Sequence, residues 1–388
     1  MKFNKGIGIG IMLAILLSAC VPVATTTPTA TINTPVPQLP TAIPKLPTAA
    51  LPTVALPTLT PVPLNTLPAV PKVTQAVAPG TQPDYSSGAY LDDRSTPSTL
   101  LLSYVNAINR HEYVRAYSYW SMPASSLGTL SAFTTGYNNT VSIAVVLGSL
   151  SSEGAAGSIY YTVPAVLTAS QAGGGTDRYA ACYIMRLSQP GNYGAPPISP
   201  MGIEKGIANL VSASTSDDNA LASACSGPDF TPGPNPANAY YEVDTDLSKD
   251  NYIDNRSGPV QVVSSLLNSL NRKEYVRSYS YWQNPSSTVG SYDAYAAGYS
   301  DTETVTAVFG TITSDAGAGQ FHYQLPLAMI VKTTTNATQT FVGCYTLHLS
   351  NPGIQGTLPF EPLGITAGHF TKVANGIDVN PLLATACK

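Results

Sequence analysis

The sequence predicts two tandem α+β domains, on three observations. The phrase EYVRAYSYW at residues 112–120 returns as EYVRSYSYW at 274–282, with Ala116 against Ser278 as the single change. An aliphatic stripe of helical spacing precedes each copy of the phrase. Alternating apolar runs, separated by glycine-rich turns, follow it. Helices first and strands after, in one unit, is the α+β pattern, and its recurrence marks a duplication.

The duplication extends well past the phrase. Trp120 recurs as Trp282, an offset of 162 (282 − 120). Without any gap, the same offset carries Asp92 to Asp254, Arg94 to Arg256, Tyr137 to Tyr299 and Pro164 to Pro326. The repeated unit spans roughly 135 residues, long enough to fold alone and too long for a solenoid repeat. The chain then divides into a leader (1–19), a stalk (20–83), a first domain (84–225), a linker (226–251) and a second domain (252–388).

Within the first unit, Leu101, Tyr104 with Val105, and Ile108 fall at i, i+3/i+4, i+7, and predict an amphipathic helix. Val263, Leu266 with Leu267, and Leu270 repeat it. The phrase itself predicts a second helix. Tyr113, Tyr117 and Trp120 share one face and belong on the core, while Glu112, Arg115 and Tyr119 share another. A short third helix is expected over 127–135. Strands are expected at 141–151, 158–168, 178–188 and 201–212, with turns at Glu153-Gly154 and Gly173-Gly174-Gly175. Pro164 and Pro326 lie inside strand-like runs, which implies a bulge or a sheet edge there. In the third strand Ala181, Tyr183, Met185 and Leu187 alternate toward the helices, with Cys182 and Arg186 on the opposite face.

The N-terminus reads as an export signal. Lys2 and Lys5 precede an apolar run over residues 7–17, of signal-peptide length and short for a membrane-spanning helix. It ends in Leu17-Ser18-Ala19-Cys20, which resembles a bacterial lipobox. The resemblance implies cleavage before Cys20, diacylglycerol on its sulfur, and a lipid-anchored place on the extracytoplasmic side of a bacterial cell envelope. Residues 21–83 alternate Pro and Thr with single aliphatic residues, and no helical or strand period survives so many prolines. That composition predicts an extended, disordered stalk.

Five cysteines are present. With Cys20 used by lipid, Cys182 and Cys225 remain in the first copy, and Cys344 and Cys387 in the second, each pair 43 residues apart. In an exported chain this predicts one disulfide per domain. Each closed loop contributes about 4 kcal/mol by chain entropy. Charged residues make up only 10 % of the chain and the net charge is −4, so nothing suggests a basic surface and no nucleic-acid partner is expected.

Two helices, a short helix and a four-stranded antiparallel sheet, entered through SYVNAINRHEYVRAYSYW at 103–120, resemble the nuclear transport factor 2-like superfamily. The resemblance implies a cone-shaped α+β domain in each copy. The chain departs from the family in its last strand, where Met201-Gly202-Ile203 and Leu363-Gly364-Ile365 replace a frequent Trp-x-Ile, and in its cysteine-bearing tails. Enzymes of that superfamily work with Asp, His or Tyr inside the cone. Here His111, His322, His348 and His369 align with Lys273, Tyr160, Arg186 and Ile207, so none recurs.

Other signals for chemistry are sparse. Asp92 and Arg94 recur as Asp254 and Arg256 just before the first helix, as a charged pocket mouth or as a local ion pair and helix cap. Glu112 and Arg115 read as a helical i, i+3 pair. DTDLSKDNYIDN at 244–255 resembles the start of a calcium loop but has Lys249 where glycine belongs and Asn255 where a bidentate Glu belongs, so no metal is expected. No cofactor motif is present. Arg115 with Tyr119, and Arg277 with Tyr281, lie off the predicted core face, and paired Tyr and Arg are common interface anchors. They form the candidate binding surface, set against packing under a loop or the sister domain. The expected function is therefore non-catalytic binding of a small apolar or glycan-like ligand, or of an envelope protein. The alternatives are an enzyme using His322, Tyr323 or His348 in a second-domain cavity, and a structural spacer.

Overall fold

The computed structural model describes residues 82–226 and 246–388. Cys20, the leader, nearly all of the stalk and most of the linker lie outside the described residues. The first copy runs α1 (Pro97–Asn109), α2 (Tyr113–Ser118), α3 (Pro123–Leu127) and α4 (Leu130–Gly136). Strands follow: β1 (Thr140–Leu147), β2 (Ser151–Ala155), β3 (Ser158–Gln171), β4 (Thr176–Ser188) and β5 (Gly202–Val211), closed by α5 (Asp217–Ala224). The second copy repeats this as α6 (Pro259–Asn271), α7 (Tyr275–Tyr279), α8 (Pro285–Thr288) and α9 (Tyr292–Gly298). It continues as β6 (Thr302–Phe309), β7 (Thr313–Gly317), β8 (Gln320–Thr333), β9 (Thr338–Ser350), β10 (Gly364–Val373) and α10 (Asn380–Leu383). No helix among the described residues is long and apolar enough to cross a membrane.

Thr96 starts α1 with a capping box closed by Thr99, and Pro97 supplies the fixed φ of the first turn. The helix is buried on every side, more completely than an amphipathic stripe requires. Its polar residues must therefore find internal partners. The predicted short helix is two, α3 and α4, divided at Gly128, whose φ is +76°.

Each copy forms one antiparallel sheet of five strands, ordered β1-β3-β4-β5 with β2 also on β3, and β6-β8-β9-β10 with β7 on β8. The sequence predicts four. The fifth strand, β2, covers the segment read as a Glu153-Gly154 turn, and it is largely exposed, so no apolar alternation announces it. The turn sits at Ala156-Gly157, both with positive φ, as a two-residue hairpin requires.

Pro164 is neither at a bulge nor on an edge strand. It lies in β3 opposite Cys182 of β4, in an unbroken register. Its carbonyl accepts from Gly148 N at 2.9 Å, at the place where β1 ends and β2 has not begun. Because a residue's N and C=O point to the same side of a strand, the missing N–H falls in that gap. The irregularities are instead in β1–β3 between Thr140 and Ser142, and in β4–β5 between Ile184 and Met185.

The core lies between helices and sheet. Ala181, Tyr183, Met185 and Leu187 of β4 join the helical residues there. Cys182 faces the other way, bonded to Cys225 beyond α5, and Cys344 is bonded to Cys387. Gly206 in β5 leaves room for Trp120: a Cβ there would sit 2.9 Å from the indole. Gly368 has the same relation to Trp282.

Candidate functional site

The residues proposed as a binding surface are inside the protein. Arg115 and Tyr119 have 0 % exposure, Tyr281 0 % and Arg277 1 %. The expectation of a contact surface on that helix face is thus corrected: both faces of the phrase are buried. Glu112 is not part of a surface i, i+3 pair either. It precedes α2, is buried, and shares its carboxylate between Arg110 Nε (2.7 Å) and Arg115 Nε (2.6 Å).

Arg115 organises the lead-in segment. Its guanidinium donates to Leu91 O, to Asn106 Oδ1 at 2.8 Å and to Tyr119 OH at 3.0 Å. Tyr119 OH in turn donates to Asp92 Oδ1 at 2.9 Å. Burial first, and the Asp92 charge second, hold the Tyr119 phenol above its ordinary range, so it stays a donor. Asn106 Nδ2 binds Ser86 O and Ala89 O. Arg277, Asn268, Tyr281 and Asp254 repeat this arrangement. Asn106 and Asn268 are absent from the sequence reading. Their signal was an asparagine kept at the same offset inside an apolar helix.

The Asp92–Arg94 segment is where the copies meet. Arg94 N donates to Asp254 O at 2.7 Å, and Arg256 N to Asp92 O at 2.6 Å. Asp92 N donates to Ser257 Oγ and Asp254 N to Ser95 Oγ, both at 2.9 Å. These reciprocal bonds describe an approximate twofold axis, as in an isologous dimer. On the axis the copies differ: Asp93 faces Asn255, whose Nδ2 donates to Asp93 Oδ2 at 3.0 Å. A carboxylate facing an amide avoids the like-charge pair that two aspartates would make.

Burial pushes the Asp93 carboxyl up to about 6, with Asp254 and Asp92 adding to the rise and Ser95 opposing it. An unfolded Asp titrates near 4, so between those values the folded chain binds more protons. This group's contribution is therefore full at low pH and lost as pH rises through about 6. Asp93→Asn, which cannot ionise, should abolish the loss of stability that this group causes as pH rises through about 6. Thermal unfolding from about pH 4 to about pH 7 checks it, and an unchanged pH dependence in Asp93→Asn would contradict the buried charge.

A cleft of about 700 Å³ opens beside this contact, with residues of both copies on its walls. Arg94 and Arg256 enter it as twofold equivalents, among Pro200, Pro362, Ile198 and Phe360. Arg94 lies over the Tyr119 ring at 4.5 Å and donates to Met201 O and Ser118 O. Arg256 lies over Tyr281 at 4.6 Å and donates to Ser280 O. The first helix is capped by Thr96 rather than by Asp92, and the Arg94–Asp92 approach is a long 4.0 Å. A second pocket, of about 460 Å³, continues from Arg94 and Trp120 into the first copy alone.

No histidine lines either of these two pockets. His322 and His348 stack across β8 and β9 at 4.8 Å. His348 alternates with the buried Leu347 and Leu349, which puts it on the sheet's outer face, while Tyr323 packs toward the core. Burial and His322 lower the His348 pKa. His111 and His369 are exposed. Among the described residues no three His, Cys, Asp or Glu side chains converge as metal ligands. Asp244 lies outside the described residues. Asp246 bonds Ser248 within its own turn.

No family model, no curated protein and no solved structure matches the chain.

Proposed function

We propose that this chain is an extracytoplasmic binding protein, held to a bacterial membrane by lipid on Cys20. It presents two domains like those of the nuclear transport factor 2-like superfamily as one clamped pair. The cleft between the copies takes the ligand. The observation that carries this reading is the pair Arg94 and Arg256, brought by the twofold contact into one cleft of about 700 Å³ whose walls combine Ile198, Pro200, Phe360 and Pro362 with the carboxylates of Asp92 and Asp254. Pockets of that size, with a few polar groups on apolar walls, suit a small molecule. The two disulfides fit an oxidising, extracytoplasmic setting. Binding needs only this cleft and no residue that moves a proton or forms a bond.

Native mass spectrometry of the whole protein extracted from its membrane tests the proposal. The expected species begins at a diacylglyceryl Cys20 and carries a small molecule that Phe360→Ser, on the cleft wall, fails to retain. A chain that arrives unlipidated and bare contradicts it.

A further inference from the structure

The two copies diverge in the residue just after the repeated phrase, Ser121 against Gln283. Both side chains leave the backbone in the same direction: a Cβ on Gly202 would meet Ser121 Oγ at 2.7 Å, and one on Gly364 would meet Gln283 Cγ at 2.8 Å. In the second copy the Gln283 carboxamide donates to His348 O at 3.0 Å and Pro362 O at 3.3 Å. A second glutamine, Gln355, donates to Ser350 O and Glu361 O, both at 3.0 Å. Two carboxamides thus cap four backbone carbonyls.

The equivalent positions in the first copy are Arg186, Pro200, Ser188 and Ser199, and all four line the pocket of about 460 Å³. Ser121 carries no carboxamide, and Gln355 is replaced by Tyr193, whose hydroxyl reaches only the Ser199 backbone. The first-copy pocket therefore lies where the second copy places two amide donors.

We propose that this pocket binds an N-acetylated sugar, its acetamido N–H donating to one of the Arg186 and Pro200 carbonyls, whose second-copy equivalents both accept from the Gln283 carboxamide. The proposal rests on the binding reading above and names a ligand class for the part of the site within the first copy. The remaining lining matches a sugar. Arg186 and Glu204 pair at 3.7 Å with side chains 41 % and 20 % exposed, and present donors and acceptors to hydroxyls. Tyr193 adds aromatic surface. The ion pair is particular to this copy, because Arg186 and Glu204 align with His348 and Thr366.

The test is a titration of the full chain with N-acetylglucosamine, with glucose and N-acetylglutamine amide as comparison probes, followed by ligand-observed NMR. The expected result is one site per chain, at least tenfold tighter for N-acetylglucosamine than for glucose. Ser121→Gln, which builds the second copy's plug into the first, should weaken it at least tenfold with no change in melting temperature. Equal binding of the two sugars, preference for the glutamine probe, or undiminished binding by Ser121→Gln each overturns the proposal. Phe360 lies outside this pocket and Ser121 outside the cleft, so failure here and failure of the cleft reading are distinguishable.

Discussion

Arg115→Ala should lower the unfolding free energy by about 3–5 kcal/mol, the cost of removing one partner from a buried, hydrogen-bonded ion pair. The side chain is fully buried and holds Glu112, Asn106 and Tyr119 together while fixing Leu91 O. Its loss leaves the Glu112 carboxylate with Arg110 alone. Asn106 Oδ1 keeps its bond from Leu91 N, but the lead-in segment loses its main anchor. Arg277→Ala should cost the second domain as much, since the same partners recur around it. Arg115→Lys should recover only part of the loss, because an ammonium cannot span the same fork of acceptors. Denaturant midpoints of the full chain measure this. A change within about 1 kcal/mol, as for surface sites, would place Arg115 in solvent.

Tyr119→Ala and Trp120→Ala should be equally severe, each costing about 3–5 kcal/mol as large buried aromatics do. Tyr119 is fully enclosed and Trp120 is 7 % exposed. Trp120 meets Tyr104 and Tyr183 edge to face, with ring centroids 6.1 and 6.5 Å away. Tyr119→Phe isolates the polar part of the effect: it leaves the ring and removes the donor to Asp92, for a loss of about 1–3 kcal/mol. A mild Tyr119→Ala beside a severe Trp120→Ala would restore the exposed face that helical spacing alone predicts.

That contrast shows what the sequence carries. Helical periodicity finds α1 and the inward face of α2 because the residues spaced along those faces are apolar, as with Leu101, Val105, Tyr117 and Trp120. It misplaces Arg115 and Tyr119 because a charged or phenolic side chain reads as exposed whenever its partners are far along the chain. The Leu91 carbonyl lies 24 residues from Arg115. The cysteines are legible because the duplication copies both members of each pair, and a disulfide joins them within each copy, Cα atoms about 5 Å apart. Strand β2 is not legible, since Ser151–Ala155 is exposed and pairs through its backbone. The cleft is least legible of all. Asp92 and Arg94 recur visibly, yet nothing local says that Arg94 N meets Asp254 O of the other copy. Ser121 and Gln283 gain meaning only when the copies are compared where they differ.

The account depends on the twofold contact holding both copies together, because the cleft exists only while it does. The most direct measurement is to cleave the chain at a protease site placed between residues 226 and 246 and pass the product over a sizing column at neutral pH. The two halves should elute together, as one species of the uncut size, joined by the Arg94–Asp254 and Arg256–Asp92 backbone bonds. Elution as two separate halves would mean that the linker alone keeps the copies near each other, and the shared binding cleft would be contradicted.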